Sequence, residues 1–220
     1  MASPFDQSVY QVRLEWGVEG LARLAPADIV VVVDVLRFSS TVADAVAAGA
    51  RIELASALDW SRNGASVAAA AASGGALVLV GGIRNAAAVA KAVQTVQERR
   101  QSRTSVAVIA AGEADADGVV RVAVEDQLGA GAVISALTDL GIDHTSPEAA
   151  VAAEGFRALR GALRHMLSAS GSGRELEIGV ASTARMAQAG VTPATVSEAA
   201  ELDAVDVAPQ LDDGVFVRFE

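Results

Sequence analysis

The feature that most constrains the fold is a short, uniformly apolar segment that ends beside one carboxylate. Residues 29–35 read I-V-V-V-V-D-V, so Asp34 is the only polar residue in a segment of strand length. A strand that is apolar on both faces is typical of a parallel sheet covered by helices on both sides. Comparable runs at residues 76–80 and 105–111 alternate with segments of helical character. We therefore predict a three-layer α/β/α fold with a mostly parallel sheet.

The predicted elements cover most of the 220 residues. The predicted strands are residues 29–35, 51–55, 76–80, 105–111, 119–124 and 177–181, with extended segments at 205–209 and 215–219. The predicted helices are residues 41–48, 66–72, 86–100, 127–140, 147–167 (as one long or two shorter helices) and 183–189. The Ser/Gly-rich residues 168–173 are typical of a surface loop, and no repeat at fixed spacing occurs, so we predict one domain over residues 1–220.

Composition excludes several classes of function. The net charge of −10 and the aromatic content of 4% argue against nucleic-acid binding, which needs a basic surface. Because the chain has no cysteine, it can form no disulfide, Cys-ligated zinc site or thiol nucleophile. No apolar run has the length of a bilayer span and the first residues do not resemble a signal peptide, so we predict a soluble, cytoplasmic protein without a membrane partner. Ala/Val-rich α/β domains often pair as symmetric dimers, which makes a homodimer one expectation.

Polar residues follow the predicted strands repeatedly. Open parallel sheets bind ligands at the carboxyl ends of their strands, where helix N-termini also point. We therefore expect such residues to meet at one edge of the sheet. They are Asp34 and Arg37, Gly81 to Asn85, Gly112 and Glu113, Glu125 and Asp126, and Ser182 with Arg185.

Three of these acids have the chemistry of a Mg²⁺ site. Mg²⁺ takes oxygen ligands, commonly one or two carboxylates together with substrate phosphate. Asp34, Glu125 and Asp126 could supply these carboxylates. Arg37 offers a planar guanidinium that suits phosphate, carboxylate or sulfonate oxygens. The pattern therefore indicates a small anionic ligand bound beside a divalent cation.

Structural interpretations of the same residues keep alternatives open. Ser40, Asn85 and Ser182 also fit ordinary helix N-caps, and Asp126 suits the positive end of a helix dipole. The chain has neither a G-x-x-x-x-G-K-[ST] loop nor a G-x-G-x-x-G motif after its first strand, which leaves nucleotide binding only the Gly81-Gly82 turn. Asp34 lacks the second acid of the D-x-D pattern of aspartyl-phosphate phosphatases, which disfavours a covalent mechanism.

Four motifs together resemble those of one enzyme family. Residues 33–41, V-D-V-L-R-F-S-S-T, are similar to its V-I-D-V-L-R-A-T-S-T, and residues 61–65, S-R-N-G-A, to its T-T-N-G-T. Residues 80–86, V-G-G-I-R-N-A, are similar to its G-S-F-L-N-A, and residues 124–126, V-E-D, to its L-E-D. The chain thus resembles the 2-phosphosulfolactate phosphatases, Mg²⁺-dependent acid phosphatases that serve coenzyme M biosynthesis in some microbes. The resemblance extends over nearly the whole chain.

The resemblance implies hydrolysis of a phosphomonoester of a small acidic metabolite by metal-activated water. It implies that Mg²⁺ lies near Asp34, Glu125 and Asp126, and that Asp34, Arg37 and Glu125 take part in catalysis. The implied substrate-binding residues are Arg37, Ser39, Ser40, Thr41, Asn63, Gly64 and Asn85. The implied partner is therefore a small anionic phosphorylated substrate.

One segment of the family pattern is missing from this chain. Family members carry G-E-R-G-G and G-F-D-L-G-N-S-P motifs between the positions that correspond to Ala50 and Asn63, where this chain has only residues 51–62. The alternative to an active phosphatase is therefore a non-catalytic homologue that binds a small anion or a protein partner.

Overall fold

The computed structural model describes residues 3–61, 63–114, 119–179 and 181–220. Within these ranges, seven strands form one sheet in the order β1-β5-β2-β4-β8-β9-β3, and two form a separate hairpin, β6-β7. The strands are β1 (Val12–Trp16), β2 (Ile29–Val33), β3 (Ile52–Glu53), β4 (Leu77–Val80), β5 (Val106–Ala110), β6 (Glu113–Ala114), β7 (Val120–Arg121), β8 (Pro209–Asp212) and β9 (Val215–Arg218).

The large sheet is mostly parallel. Strands β1, β5, β2 and β4 are parallel neighbours. Strand β8 is antiparallel to β4, β9 is antiparallel to β8, and β3 is antiparallel to β9. Five of these seven described strands therefore point the same way, which confirms the predicted sheet.

Strand β2 is uniformly apolar because it lies in the interior of this sheet, between β5 and β4. All five of its residues are buried. Successive side chains of a strand point to opposite faces. Accordingly Ile29, Val31 and Val33 pack into the core on one face of the sheet. Val30 and Val32 pack into the core on the other face.

Helices cover both faces, which confirms the three-layer α/β/α architecture. The helices are α1 (Gly17–Arg23), α2 (Ser40–Ala47), α3 (Leu54–Trp60), α4 (Gly64–Ser73), α5 (Ala86–Arg100), α6 (Val124–Asp139), α7 (Pro147–Leu159), α8 (Leu163–Ala169), α9 (Gly171–Ile178), α10 (Ala181–Gln188) and α11 (Val196–Ala199). Residues of α5, α6, α7, α8 and α11 pack into one core, and residues of α2, α3, α4 and α10 into the other. None of the helices in the described ranges is long and apolar enough to cross a membrane.

The predicted strand at residues 177–181 is wrong, because α9 extends through Glu177 to Ile178. The Ser170 side chain accepts a hydrogen bond from the Gly173 amide and so caps this helix. Leu176 is partly buried and packs against the core. This local capping outweighs the alternation of the E-L-E-I sequence. Residues 168–173, predicted as a surface loop, belong to the end of α8 and the start of α9.

The predicted strand at residues 119–124 is shorter than expected and lies outside the main sheet. Within this range the strand comprises Val120–Arg121, which pairs with Glu113–Ala114. Helix α6 begins at Val124, three residues before its predicted start. Glu125 and Asp126 therefore lie in the first turn of a helix, although they were expected at the end of a strand. The short helix α3 was not predicted; residues 54 and 55 were assigned to a strand.

Strand β1 was not predicted, because its sequence V-R-L-E-W contains two charged residues. Arg13 is nevertheless buried. Its Nε donates to the Tyr10 carbonyl at 2.9 Å, and its Nη1 donates to the Ala25 carbonyl at 2.8 Å. A buried charged side chain is tolerated when backbone carbonyls accept its hydrogen bonds.

Candidate functional site

Asp34 lies where β2 ends, held by backbone amides from two directions. Its Oδ2 accepts a hydrogen bond from the Gly64 amide at 3.0 Å, and its Oδ1 accepts one from the Phe38 amide at 3.4 Å. The Asp34 amide donates to the Ser39 hydroxyl at 2.9 Å. The irregular helical turn that follows, Val35–Ser39, leads directly into α2. The carboxylate is thereby fixed in orientation at the ligand-binding edge of the sheet.

Gly64 is needed for this arrangement because the start of α4 approaches Asp34 very closely. A Cβ atom at position 64 would lie 2.7 Å from the Asp34 carboxylate and 2.6 Å from the Phe38 ring. Both distances are shorter than ordinary van der Waals contact. The absence of a side chain therefore permits the Gly64 amide to reach the carboxylate.

Asp126 connects the ends of two neighbouring parallel strands. From the first turn of α6, its Oδ1 accepts the Val35 amide at 2.7 Å and its Oδ2 accepts the Gly112 amide at 2.9 Å. Val35 follows β2 and Gly112 follows β5. Asp126 is 3% exposed and Glu125 is 2% exposed. The helix therefore brings two buried acids to the edge where Asp34 lies.

Burial and neighbouring negative charge raise the pKa values of Asp34 and Asp126. Burial is the largest cause that raises the pKa of Asp34; the amides of Gly64 and Phe38 and the charge of Arg37 oppose it, and Glu125 adds to it. Burial also raises the pKa of Asp126 well above its ordinary value, with added repulsion from Asp34 and Glu125. Such mutual repulsion is relieved by protonation or by a bound cation.

These residues line one cavity of about 420 Å³. The cavity brings together five residues predicted from the sequence, namely Asp34, Arg37, Asn63, Glu125 and Asp126. It also contains residues that were not predicted as site residues, among them Trp60, Ser61, Glu113, Ser172, Glu175 and Arg185. Glu113 and Arg185 had a sequence signal, since both were noted behind predicted strands. The others come from short or irregular segments that local patterns do not connect to the sheet edge.

The three hydroxyls predicted to bind substrate do not line this cavity. Ser39 Oγ donates to the Val32 carbonyl at 3.3 Å, and Ser40 Oγ donates to the Val35 carbonyl at 2.8 Å. Thr41 Oγ1 donates to the Arg37 carbonyl at 2.6 Å. All three therefore stabilise the strand-to-helix turn. Nor do they act as the expected helix cap, since no side chain caps the N-terminus of α2.

Asn85 is also placed away from the cavity. It is 1% exposed, and its Nδ2 donates to the carbonyls of Val80 and Val207 at 3.1 and 2.9 Å. Its Oδ1 accepts the Gly82 amide at 3.1 Å. Because the amide group is occupied by backbone partners, we assign Asn85 a structural role in place of substrate binding.

The Gly81-Gly82 turn has a packing explanation. A Cβ at Gly81 would lie 3.0 Å from Val31 and 3.1 Å from Val89. The glycine thus allows the end of β4 to pack closely against β2 and α5. This accounts for Gly81 without a nucleotide.

The donor chemistry of the cavity fits a hard cation. Among the described residues, no group of three or more His, Cys, Asp or Glu side chains is arranged to hold a metal ion. Asp34, Glu125 and Asp126 therefore do not form a preassembled three-ligand cage, because Asp34 and Asp126 are oriented by backbone amides. Mg²⁺ commonly uses only one or two carboxylates and completes its shell with water and phosphate. Buried carboxylates that repel one another fit this type of site.

If a cation binds these acids, its effect on thermal stability should depend on pH. Because folding raises the pKa values of Asp34 and Asp126, protonation of these acids stabilises the metal-free fold at pH values below their ordinary pKa. This contribution is lost as the pH rises through the pKa values of the folded state. Mg²⁺ binds the deprotonated forms, so its stabilising effect should follow the opposite trend. We expect Mg²⁺ at ten times its Kd to stabilise the fold by about 1.4 kcal/mol at pH 8 and much less at pH 5.

Differential scanning fluorimetry with Mg²⁺, against NaCl of equal ionic strength, checks this expectation. A Mg²⁺ effect that is equal at both pH values, or equal to that of NaCl, would show that these acids do not bind the ion.

The chain is thus an α/β protein with a cavity of carboxylates and arginines at the carboxyl ends of parallel strands, where such proteins bind ligands. The sequence model of the 2-phosphosulpholactate phosphatase family matches residues 60–214, which is well over half of the chain. The chain therefore belongs to this family, whose members are metal-dependent phosphatases. A comparison with curated proteins found no match. The matched range includes Asn63, Gly64, Glu125 and Asp126, whereas Asp34 precedes it.

Proposed function

We propose that the protein is a Mg²⁺-dependent phosphatase that hydrolyses a phosphomonoester of a small acidic metabolite. The observation that carries this proposal is the meeting of Asp34, Glu125 and Asp126 with Arg37 in one cavity of a chain from this family. A cation held by acids and an arginine beside it provide the positive charge that a phosphoryl group requires.

In the mechanism we propose, Asp34 and Asp126 would hold the metal. When bound, Mg²⁺ would neutralise charge on the phosphoryl oxygens and lower the pKa of water. Arg37 binds phosphoryl oxygens through its planar guanidinium. Glu125, buried beside Asp126, orients the attacking water and accepts its proton. The water oxygen bonds to phosphorus, the ester oxygen leaves and takes up a proton, and the products are inorganic phosphate and an alcohol.

The test is phosphate release from a panel of phosphomonoesters with added Mg²⁺ and with EDTA. The panel contains 4-nitrophenyl phosphate, 2-phosphoglycerate and 2-phosphosulfolactate. We expect Mg²⁺-dependent release that is fastest with the acidic metabolites. Absence of release from every ester with Mg²⁺, Mn²⁺ or Co²⁺ would contradict the proposal and favour a homologue that only binds anions.

A further inference from the structure

Among the described residues, three buried polar groups without a hydrogen-bond partner lie on two helices that pack against each other, α3 and α10. Within the described part of the chain, the Trp60 Nε1, Thr183 Oγ1 and Arg185 Nε atoms are buried and make no hydrogen bond. Trp60 ends α3, and the other two belong to α10, which packs against α3. Burying a polar group without a partner costs about 1–3 kcal/mol, so such groups usually serve a ligand or an ordered water.

The residues that carry two of these donors, Trp60 and Arg185, line the cavity that contains the acids. The donor atoms themselves are buried within the cavity wall. The Trp60 residue is 3% exposed, and its ring packs against Phe38 with centroids 5.8 Å apart. Met186, which follows Arg185, is fully buried in the same core as Trp60. The two donors are thus supported by packed helices.

The chemistry of these donors selects an anionic oxygen group. An indole N–H and a guanidinium are donors only, so neither can satisfy the other. The acids come from different elements, the end of β2 and the first turn of α6. In the proposed function a cation binds those acids and the phosphoryl group binds the cation. The Trp60 and Arg185 donors are then available to a second part of the ligand.

We propose that Trp60 and Arg185 bind a second oxyanion of the substrate, a carboxylate or sulfonate, apart from its phosphoryl group. This inference rests on the proposed function, since it assigns recognition within the same cavity. Trp60 and Arg185 determine specificity: they favour phosphomonoesters of small acids over phosphomonoesters of neutral alcohols.

Binding of matched ligands tests the inference without requiring turnover. 2-Phosphoglycerate and glycerol 2-phosphate differ by one carboxylate in place of a hydroxymethyl group, and 2-phosphoethanesulfonate and ethyl phosphate differ by one sulfonate. Because the chain has two tryptophans, Trp16→Phe leaves Trp60 as the sole tryptophan, whose emission can be excited selectively. With Mg²⁺ present, we expect the acid of at least one pair to change Trp60 emission and to bind about tenfold more tightly than its neutral partner, which corresponds to one charge-assisted hydrogen bond. The pair that shows the preference identifies the oxyanion as carboxylate or sulfonate.

Variants then assign the preference to the two residues. Arg185→Gln should reduce the affinity ratio to about one, and Arg185→Lys, which keeps the charge, should restore part of it. Trp60→Phe, measured by calorimetry, keeps an aromatic ring against Phe38 and should lower the ratio several-fold. The melting temperature of each variant shows whether it is folded.

The outcomes separate this inference from the proposed function. An unchanged ratio in folded Arg185→Gln and Trp60→Phe proteins would overturn the inference, even if phosphate is released. Equal binding of acid and neutral ligands in both pairs, or no binding at all, would overturn it as well. An acid preference that depends on these residues would support it even if no ester is hydrolysed.

Discussion

Replacing Asp34 by asparagine should lower kcat/KM for phosphomonoesters by about 10²- to 10³-fold, the loss typical of removing one group that stabilises transition-state charge. The substitution keeps the shape of the side chain but removes the negative charge that would hold Mg²⁺. The carboxylate now accepts hydrogen bonds from the backbone amides of Gly64 and Phe38. The asparagine side chain would place its amide nitrogen, also a donor, against one of these two amides. Steady-state phosphate release with increasing Mg²⁺ measures the loss, and circular dichroism verifies the fold.

A matched control distinguishes this effect from a general loss of charge. The Asp44 carboxylate accepts hydrogen bonds from Arg84 at 3.0 and 2.7 Å, and Asp44 does not line the cavity. Asp44→Asn should leave kcat/KM within about twofold, since it lies apart from the proposed chemistry. If Asp34→Asn and Asp44→Asn have equal effects on phosphate release, Asp34 does not act in the site.

Replacing Gly64 by alanine should disrupt the same site sterically, with a cost of about 1–3 kcal/mol in the free energy of unfolding. The new methyl group would lie 2.6 Å from the Phe38 ring and 2.7 Å from the Asp34 carboxylate, so either the ring or α4 must move. Movement of α4 would break the hydrogen bond from the Gly64 amide to Asp34. Urea denaturation measures the stability change, and phosphate release measures the loss of activity that should accompany it.

Gly155→Ala is the control for this substitution. Gly155 lies within α7, and an added Cβ would meet no atom within 4 Å. Alanine there should raise the free energy of unfolding by about 0.5–1 kcal/mol, because glycine is a poor helix former. Equal stability changes at positions 64 and 155 would mean that the start of α4 relaxes freely around the extra methyl group.

Part of the site was predictable because it is encoded locally. An apolar strand interrupted by Asp34 and followed by Arg37 indicates a ligand edge wherever a parallel sheet forms. Glu125 and Asp126 were placed at the correct edge although their element was wrong. The error was harmless because a helix that begins at the edge presents its first turn there.

Other parts of the site were not predictable from local patterns. The roles of Ser39, Ser40 and Thr41 depend on which carbonyls the turn after β2 exposes, and hydroxyls suit a ligand and a backbone carbonyl equally well. Asn85 likewise has the chemistry of a binding residue. Its amide nitrogen instead donates to the carbonyl of Val207, a residue 122 positions away that no local pattern connects to it.

Consecutive residues encode the layered α/β architecture, the buried strand β2 and the acids at its carboxyl edge, because hydrophobic periodicity is a local property of the chain. The distant groups that complete the cavity depend on long-range packing. Trp60 and Arg185 meet the acids because α3 and α10 pack together, and that contact depends on the path of the whole chain. Short-range periodicity specifies which face of an element is buried, whereas long-range packing specifies what that face meets.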